Sequence, residues 1–406
     1  MLGPALLAAA SAELGARLLT PRERLPEPVA VDLNGYFTPA EIERGTRYAR
    51  PQLALGLARS ALQAGVLVAA HRRVRRWAPS QRPPGGEALA GAATAAGLAL
   101  AATMAGLPVA AASRRRALRV GLATQSWRGW GADLVKAGAI EAAMTGAIGA
   151  GMAELTRRYP RDWWLPAAGG SIVLGTVLGA LAPVILDPLF NDFTPLPEGT
   201  LRGDVMALAG EVGVRVGQVF SVDASRRTTA ANAYVTGLGP TKRVVLFDTL
   251  LDRYDRDQVR SVVAHELAHV AHRDVLRSVA FGAIVASPAA LATQRLSWAL
   301  SPARSGAAIL PALALAGGLV TAPTGLIANR MSRAIERRAD ATAIALAGAP
   351  EAFIAFERAI ALQNIADLDP PAWVTKLLST HPSTAERIGA ALAAIPAGRR
   401  PTPADS

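Results

Sequence analysis

The 406-residue chain has no cysteine, which excludes disulfides, thiolate metal sites and a cysteine nucleophile. Aromatic residues make up only 5%, and acidic residues are outnumbered 31 to 43 by lysine and arginine, for a formal net charge of +12. Such a surplus could serve nucleic acid. Here the basic residues fall in loops between apolar segments and lack interleaved aromatics for base stacking, so no nucleic-acid partner is expected. Polar residues are too few for a soluble protein. With 51% hydrophobic residues and a mean hydropathy of +0.26, the chain is too apolar to hide in one soluble core of this size.

What is present is a series of apolar windows near 3–19, 51–71, 87–112, 132–156, 165–186, 276–300 and 306–328. Each approaches the roughly 20 residues needed to cross the hydrocarbon layer, which predicts about seven transmembrane helices. Glu13 and Arg17 in the first window, and Glu141 and Glu154 in the fourth, would face protein or a watery cavity rather than lipid. Ala8 to Ala12 offers small residues suited to signal cleavage. No Lys or Arg precedes the run, however, and Arg17, Arg22 and Arg24 follow it, so a retained span with its N-terminus outside fits better. Loops 20–50, 113–131 and 187–275 and the tail from Met331 then fall in the cytoplasm with most of the basic residues. His71-Arg-Arg-Val-Arg-Arg76 runs against this orientation. The expectation is a multi-pass protein of the cell membrane.

Of the five histidines, two sit in His265-Glu266-Leu267-Ala268-His269, an H-E-x-x-H motif. A helix turns about 100° per residue, so His265 and His269 share one face about 6 Å apart along the axis and can hold one zinc ion. Glu266, roughly a quarter-turn away, can take a proton from a zinc-bound water without coordinating the metal. The preceding run from Gln258 to Ala264 has helical spacing and no Pro or Gly. A catalytic zinc needs a third protein ligand and an open fourth position. Glu336 is the best candidate, and Asp340, one turn further, is placed to accept the free ring N–H of a ligand histidine. The bland alternative for this stretch is a charged helix face. His272 points the same way as His265, but seven residues rise about 10.5 Å and Zn–N bonds are about 2.0 Å, so it is read as a polar residue near the membrane surface.

These residues resemble the integral-membrane zinc metallopeptidases that include the type I CAAX prenyl endopeptidases and the HtpX-like proteases. Asp187-Pro-Leu-Phe-Asn-Asp-Phe-Thr-Pro-Leu196 and the segment from Thr124-Gln125-Ser126-Trp127 through Asp133 resemble the CAAX branch in particular. The Ala, Arg and Gly bias resembles high-GC bacterial coding, which puts prenylated substrates in question. The resemblance implies two further site elements. Asn232-Ala233-Tyr234, in a run to Gly237, would form an edge strand that pairs with an extended substrate peptide while the Asn side chain steadies it. His381, with Arg387, would support the oxyanion of the tetrahedral intermediate. From the residues alone, Asn232 reads as a turn cap and His381 as a surface histidine. The run from Asn232 and Arg243 to Asp248 together read as a hairpin around Gly237 to Pro240.

The expected architecture is mostly α. Residues 1–186 form a helical membrane domain, and 187–406 a zincin-like catalytic domain with a small antiparallel sheet, interrupted by a transmembrane hairpin at 276–328. The expected chemistry is peptide hydrolysis on one zinc ion per chain, held by His265, His269 and Glu336, with Glu266 as base. It faces the cytoplasm and acts on membrane-associated or hydrophobic peptides. The rivals are an HtpX-type quality-control protease and a non-catalytic zinc-binding membrane protein.

Overall fold

The computed structural model describes residues 2–76, 86–237 and 242–400. Helix α1 (Leu2–Leu19) is followed by an extended segment, then α2 (Pro39–Arg76), α3 (Gly86–Arg119), α4 (Trp127–Arg158) and α5 (Trp164–Ile185). The next segment contributes β1 (Phe193–Pro195), α6 (Thr200–Glu211), β2 (Gln218–Val222), β3 (Ala233–Thr236), β4 (Arg243–Phe247), α7 (Asp248–Leu251) and α8 (Arg256–Ala271). Helices α9 (Asp274–Leu300) and α10 (Leu310–Ala347) form a long hairpin, and α11 (Pro350–Gln363) and α12 (Thr384–Ala394) close the fold.

Five helical stretches among the described residues are long and apolar enough to cross a membrane: Pro39–Arg73, Gly86–Arg119, Trp164–Leu189, Asp274–Leu300 and Ala307–Ala347. The other two expected spans lie in α1, which has only 18 residues, and in α4, whose charges interrupt its apolar run. Helix α4 carries Asp133, Lys136, Glu141 and Glu154 before ending in Arg157 and Arg158. In α1, Glu13 is bound by Arg17 at 2.6 Å and by Arg330 of α10 at 2.8 Å. Its small face is covered: Ala8, Ala12 and Ala16 are buried, Ala8 with Ala292 and Val320, and Ala16 with Met331 and Ile335. Helices α3 and α4 approach so closely at Gly91 and Gly149 that a Cβ on either would overlap the other helix.

The sheet is mixed, with strand order β1-β2-β4-β3, where an antiparallel one was expected. The expected hairpin does form, as β3 pairs antiparallel with β4. Its turn lies outside the described residues beyond Gly237. The difference arises because β4 enters the middle of the sheet and pairs in parallel with β2. Its Val244, Val245 and Leu246 are fully buried, the pattern of a strand covered on both faces.

Helix α8 lies between two apolar clusters. Val259, Val263 and Leu267 pack with Val205 and Leu208 of α6 and with Val219, Val244 and Leu246 of the sheet. Ala264, on another face, joins Ala343 and Ile344 of α10, Phe353 and Ile354 of α11, and Ile388 of α12. Each fully buried Leu or Val contributes about 1.5–3 kcal/mol, which fixes the rotation of α8 and the direction of its remaining face. His265 and His269 occupy that face.

Candidate active site

Asp255 starts α8 with a capping box, its side chain accepting from the Gln258 backbone at 2.9 Å while Gln258 accepts from Asp255 N–H at 3.2 Å. The helix then runs unbroken through the H-E-x-x-H pentapeptide. Glu336 arrives from α10, which stays continuous from the membrane hairpin through Pro323 to Ala347. His265 Nε2 lies 3.1 Å from His269 Nε2 and 3.3 Å from Glu336 Oε2, and His269 Nε2 lies 3.6 Å from Glu336 Oε1.

These separations suit a metal. Zinc bonds of about 2.0–2.1 Å in a tetrahedron place neighbouring ligand atoms about 3.3 Å apart, and the three observed distances straddle that figure. The imidazole rings stand at 86° to each other, converging on one point rather than stacking. Glu336 Oε2 is buried and is flanked by histidine nitrogens at 3.3 and 3.4 Å without a well-formed hydrogen bond, so a cation there would stabilise it.

Both histidines are backed by carboxylates. His265 Nδ1 faces Asp340 Oδ1 at 2.9 Å, and His269 Nδ1 meets Asp274 Oδ2 at 3.0 Å. Burial opposes a charge on His265, yet Asp340 and Glu336 overcome it and raise the ring to about 10. Each backing carboxylate is itself held by an arginine, Arg338 buried and Arg387 partly so. Arg387 donates to both oxygens of Asp340, at 2.9 and 2.5 Å, and reaches Glu357 at 2.7 Å. Arg338 donates to Asp274 and faces Glu23 of the α1–α2 connection at 3.6 Å. Asp274, Arg338 and Glu357 were not picked out from the sequence. Asp274 follows His269 by five residues, one past helical reach, and returns to it because Arg273 takes a left-handed conformation at φ 56°.

Glu266 is partly exposed, and among the described residues its carboxylate makes no ion pair or hydrogen bond. The protein crowded round it raises its pKa. His381 approaches from the loop before α12, its largely exposed ring placing Nε2 3.4 Å from Glu336 Oε2 and Nδ1 2.8 Å from Thr380 Oγ1. Arg387, expected beside the oxyanion, has its guanidinium committed to Asp340 and Glu357. His272 is outside the cluster and bonds Thr342 Oγ1 at 2.9 Å.

Strand β3 is the last strand in the sheet and so forms one of its edges, with Ala233 and Tyr234 opposite Leu246 and Val245 of β4. Asn232 just precedes it, its backbone carbonyl accepting from Phe247 N–H at 3.1 Å and its side chain exposed. Tyr234 is turned to Asp187, donating its hydroxyl at 3.1 Å. A cavity of about 670 Å³, lined by Val235, Gly237, His269, Val270, Val275 and Leu276 among others, joins the edge strand to the second histidine.

Two histidines and a glutamate at the foot of a long helical hairpin could hold one metal ion, the arrangement expected of a membrane-bound class of metallopeptidase. The chain belongs to peptidase family M48, whose model matches residues 195–395, and residues 19–192 match the model described as the CAAX prenyl protease N-terminal domain with five membrane helices. It is 33% identical over 244 residues to an uncharacterised metalloprotease, YhfN, of Bacillus subtilis, covering 58% of this chain and 57% of that protein. It is also 33% identical over 153 residues to CAAX prenyl protease 1 of Saccharomyces cerevisiae, covering 37% of this chain and 34% of the relative. The matched region thus spans less than two thirds of either relative's length. The crystal structure of S. mikatae Ste24p superposes with a TM-score of 0.78 at 21% identity, covering 96% of this chain and 98% of that one, and so shares the fold.

Proposed function

We propose that the protein is a zinc-dependent membrane endopeptidase that hydrolyses peptide bonds in membrane-associated or hydrophobic substrates. The observation that carries this reading is the His265, His269 and Glu336 triangle beside a Glu266 carboxylate that, among the described residues, no group engages. Zinc, when bound, supplies a Lewis acid and a water of lowered pKa. Glu266 takes the proton of the attacking water and delivers it to the leaving amine. His381, exposed on the open side of Glu336, donates to the oxyanion. Arg387 is assigned to positioning, since it acts through Asp340 on His265.

The substrate chain lies along the outer edge of β3, where backbone pairing with Ala233 to Thr236 would give affinity and Asn232 would steady the strand. That path leads past Val235 and Gly237 to His269. The chain is proposed to cross the cell membrane seven times, α1 and α4 completing the five apolar stretches, with the site facing the cytoplasm as the loop charges suggest. A non-catalytic zinc protein is disfavoured because structural sites close with four protein ligands.

The test uses the full chain in proteoliposomes, with peptides carrying a membrane-anchored C-terminal segment and, separately, unfolded membrane proteins. Hydrolysis that a chelator stops and zinc restores supports the reading. Absence of cleavage by zinc-loaded protein on every substrate overturns it, and preference for the unfolded proteins reassigns it to quality control.

A further inference from the structure

Four arginines close the C-terminal end of α3, and they divide into two pairs with different work. Arg114 donates to the carbonyls of Gln125 and Ser126 and stacks over the rings of Trp127 and Trp130 at 5.4 and 5.3 Å. Arg116 donates to the Arg47 carbonyl at 2.8 Å. These two hold the backbone together. Arg115 and Arg119, one helical turn apart on the same face, make no hydrogen bond or ion pair among the described residues. Like charges at this spacing repel, and no carboxylate relieves them.

The pair borders a groove of about 780 Å³, lined by Ala111, Ala112, Arg115, Leu118, Arg119 and Trp127. Its two ends differ in chemistry. Ala111 and Ala112 continue the apolar stretch Gly86–Arg119 that is long enough to cross the membrane. The other end presents two guanidiniums and an indole that is half exposed and held in place by Arg114. Arg128, exposed next to Trp127, adds a third cation without a partner among the described residues. An apolar slot that opens onto arginines and a tryptophan at the end of a membrane span matches a lipid with its acyl chain in the slot and an anionic headgroup on the guanidiniums.

The groove is also next to the catalytic segment. Thr124, in the turn after α3, donates its N–H to Arg227 O at 3.0 Å and its hydroxyl to Ser225 O at 2.8 Å, and Thr228 donates to Leu122 O at 2.8 Å. The membrane surface at this end of α3 is therefore the surface that carries the catalytic segment. We infer that Arg115, Arg119 and Trp127 form a binding site for the headgroup of an anionic phospholipid in the leaflet that faces the catalytic segment.

The full chain in detergent is titrated with phosphatidylglycerol, with phosphatidylcholine and with inorganic phosphate, and bound lipid is counted by native mass spectrometry alongside the melting temperature. Phosphatidylglycerol should bind and raise the melting temperature where the other two do not. The double substitution Arg115→Gln with Arg119→Gln should weaken that binding about 30-fold, which corresponds to about 1 kcal/mol for each guanidinium. Removing two exposed arginines at the far end of α2, Arg72→Gln with Arg73→Gln, should leave it unchanged. Undiminished phosphatidylglycerol binding by the Arg115 and Arg119 variant overturns the proposal, as does equal loss in the Arg72 and Arg73 variant or equal stabilisation by phosphatidylcholine or phosphate. These readouts need no peptidase activity, so they stand or fall separately from the proposed reaction.

Discussion

Replacing Asp274 with Asn should loosen zinc without touching any ligand. Asp274 Oδ2 is 3.0 Å from His269 Nδ1 and its side chain is 7% exposed, so water cannot readily take its place. A carboxylate behind a ligand histidine holds the ring's orientation and tautomer and raises its basicity, and losing it lowers metal affinity about 10- to 100-fold, or about 1.4–2.7 kcal/mol. Asn keeps the shape but only one of the two accepting oxygens, so its NH2 faces either the His269 ring N–H or the Arg338 guanidinium, and the expected loss lies toward the upper figure. Asp274→Ala is a poorer test, because it strands the Arg338 guanidinium, 2% exposed, with only Glu23 at 3.6 Å. Removing one partner of such a buried pair costs about 3–5 kcal/mol of stability, enough to unfold a marginally stable protein. The assay is zinc competition against a calibrated chelator at fixed pH, with melting temperature measured on the same samples. Glu23→Gln is the control: its partner is the same arginine, but its side chain is 55% exposed, and zinc affinity should stay within about 3-fold. A folded Asp274→Asn protein that binds zinc as tightly as the parent would refute the positioning argument.

Glu266→Gln should lower peptide hydrolysis by about 10²- to 10⁴-fold, the usual contribution of a general base, while zinc content measured by atomic absorption stays at that of the parent. Glu336→Ala should lose most bound zinc in the same measurement, since two imidazoles alone remain; unchanged zinc would remove Glu336 as a ligand. Glu357 should impose a pH dependence on stability. Burial pushes this carboxyl up to about 7, from an ordinary value of 4.5, with Arg387 pulling the other way. The folded state thus keeps a proton that the unfolded chain releases, so the contribution is full below about 4.5, declines as pH rises and is gone above about 7, a change of roughly 3 kcal/mol. Melting temperatures across this range should fall in the parent and flatten in Glu357→Gln; parallel slopes would rule the carboxyl out as their source.

The pairing of His265 with His269 and of Glu336 with Asp340 was legible because helical periodicity is local, with spacings of four residues putting each pair on one face of α8 or α10; that the two pairs meet followed from the third ligand that a two-histidine zinc site needs. The β3–β4 hairpin was legible for the same reason, through a short turn between two strand-forming runs. Parallel pairing of β2 with β4 was not, because nothing in either strand's own pattern says which neighbour a buried Val-Val-Leu run will meet. Asp274 escaped notice because its approach depends on one left-handed residue, Arg273, of a type that rarely adopts that conformation. The count of spans was blurred by α4, where charged residues interrupt an apolar run, and by α1, whose 18 residues are barely enough to cross the hydrocarbon layer.

Helix length gives an estimate of how far the proposed metal centre stands from the bilayer. Leu310 starts α10 and Glu336 lies 26 residues later, about 39 Å along the axis, whereas the hydrocarbon layer is about 30 Å thick. Helix α9, with 27 residues, gives about 40 Å by the same rule, and it begins at Asp274, the residue that backs His269. On the proposed function, with both helices taken as upright and hydrocarbon spanned from the far end, the centre would stand about 9 Å beyond its boundary, among the headgroups. An extended chain covers that distance in about three residues. On the proposed function, a peptide bond three or four residues from a membrane anchor should therefore be cut fastest, and lengthening the spacer should slow cleavage as the held segment becomes a free loop. Cleavage of a series of anchored peptides with spacers from one to twelve residues in proteoliposomes tests this. A rate that keeps rising with spacer length would mean that substrates reach the metal from solution and that the membrane hairpin serves only to hold the ligands.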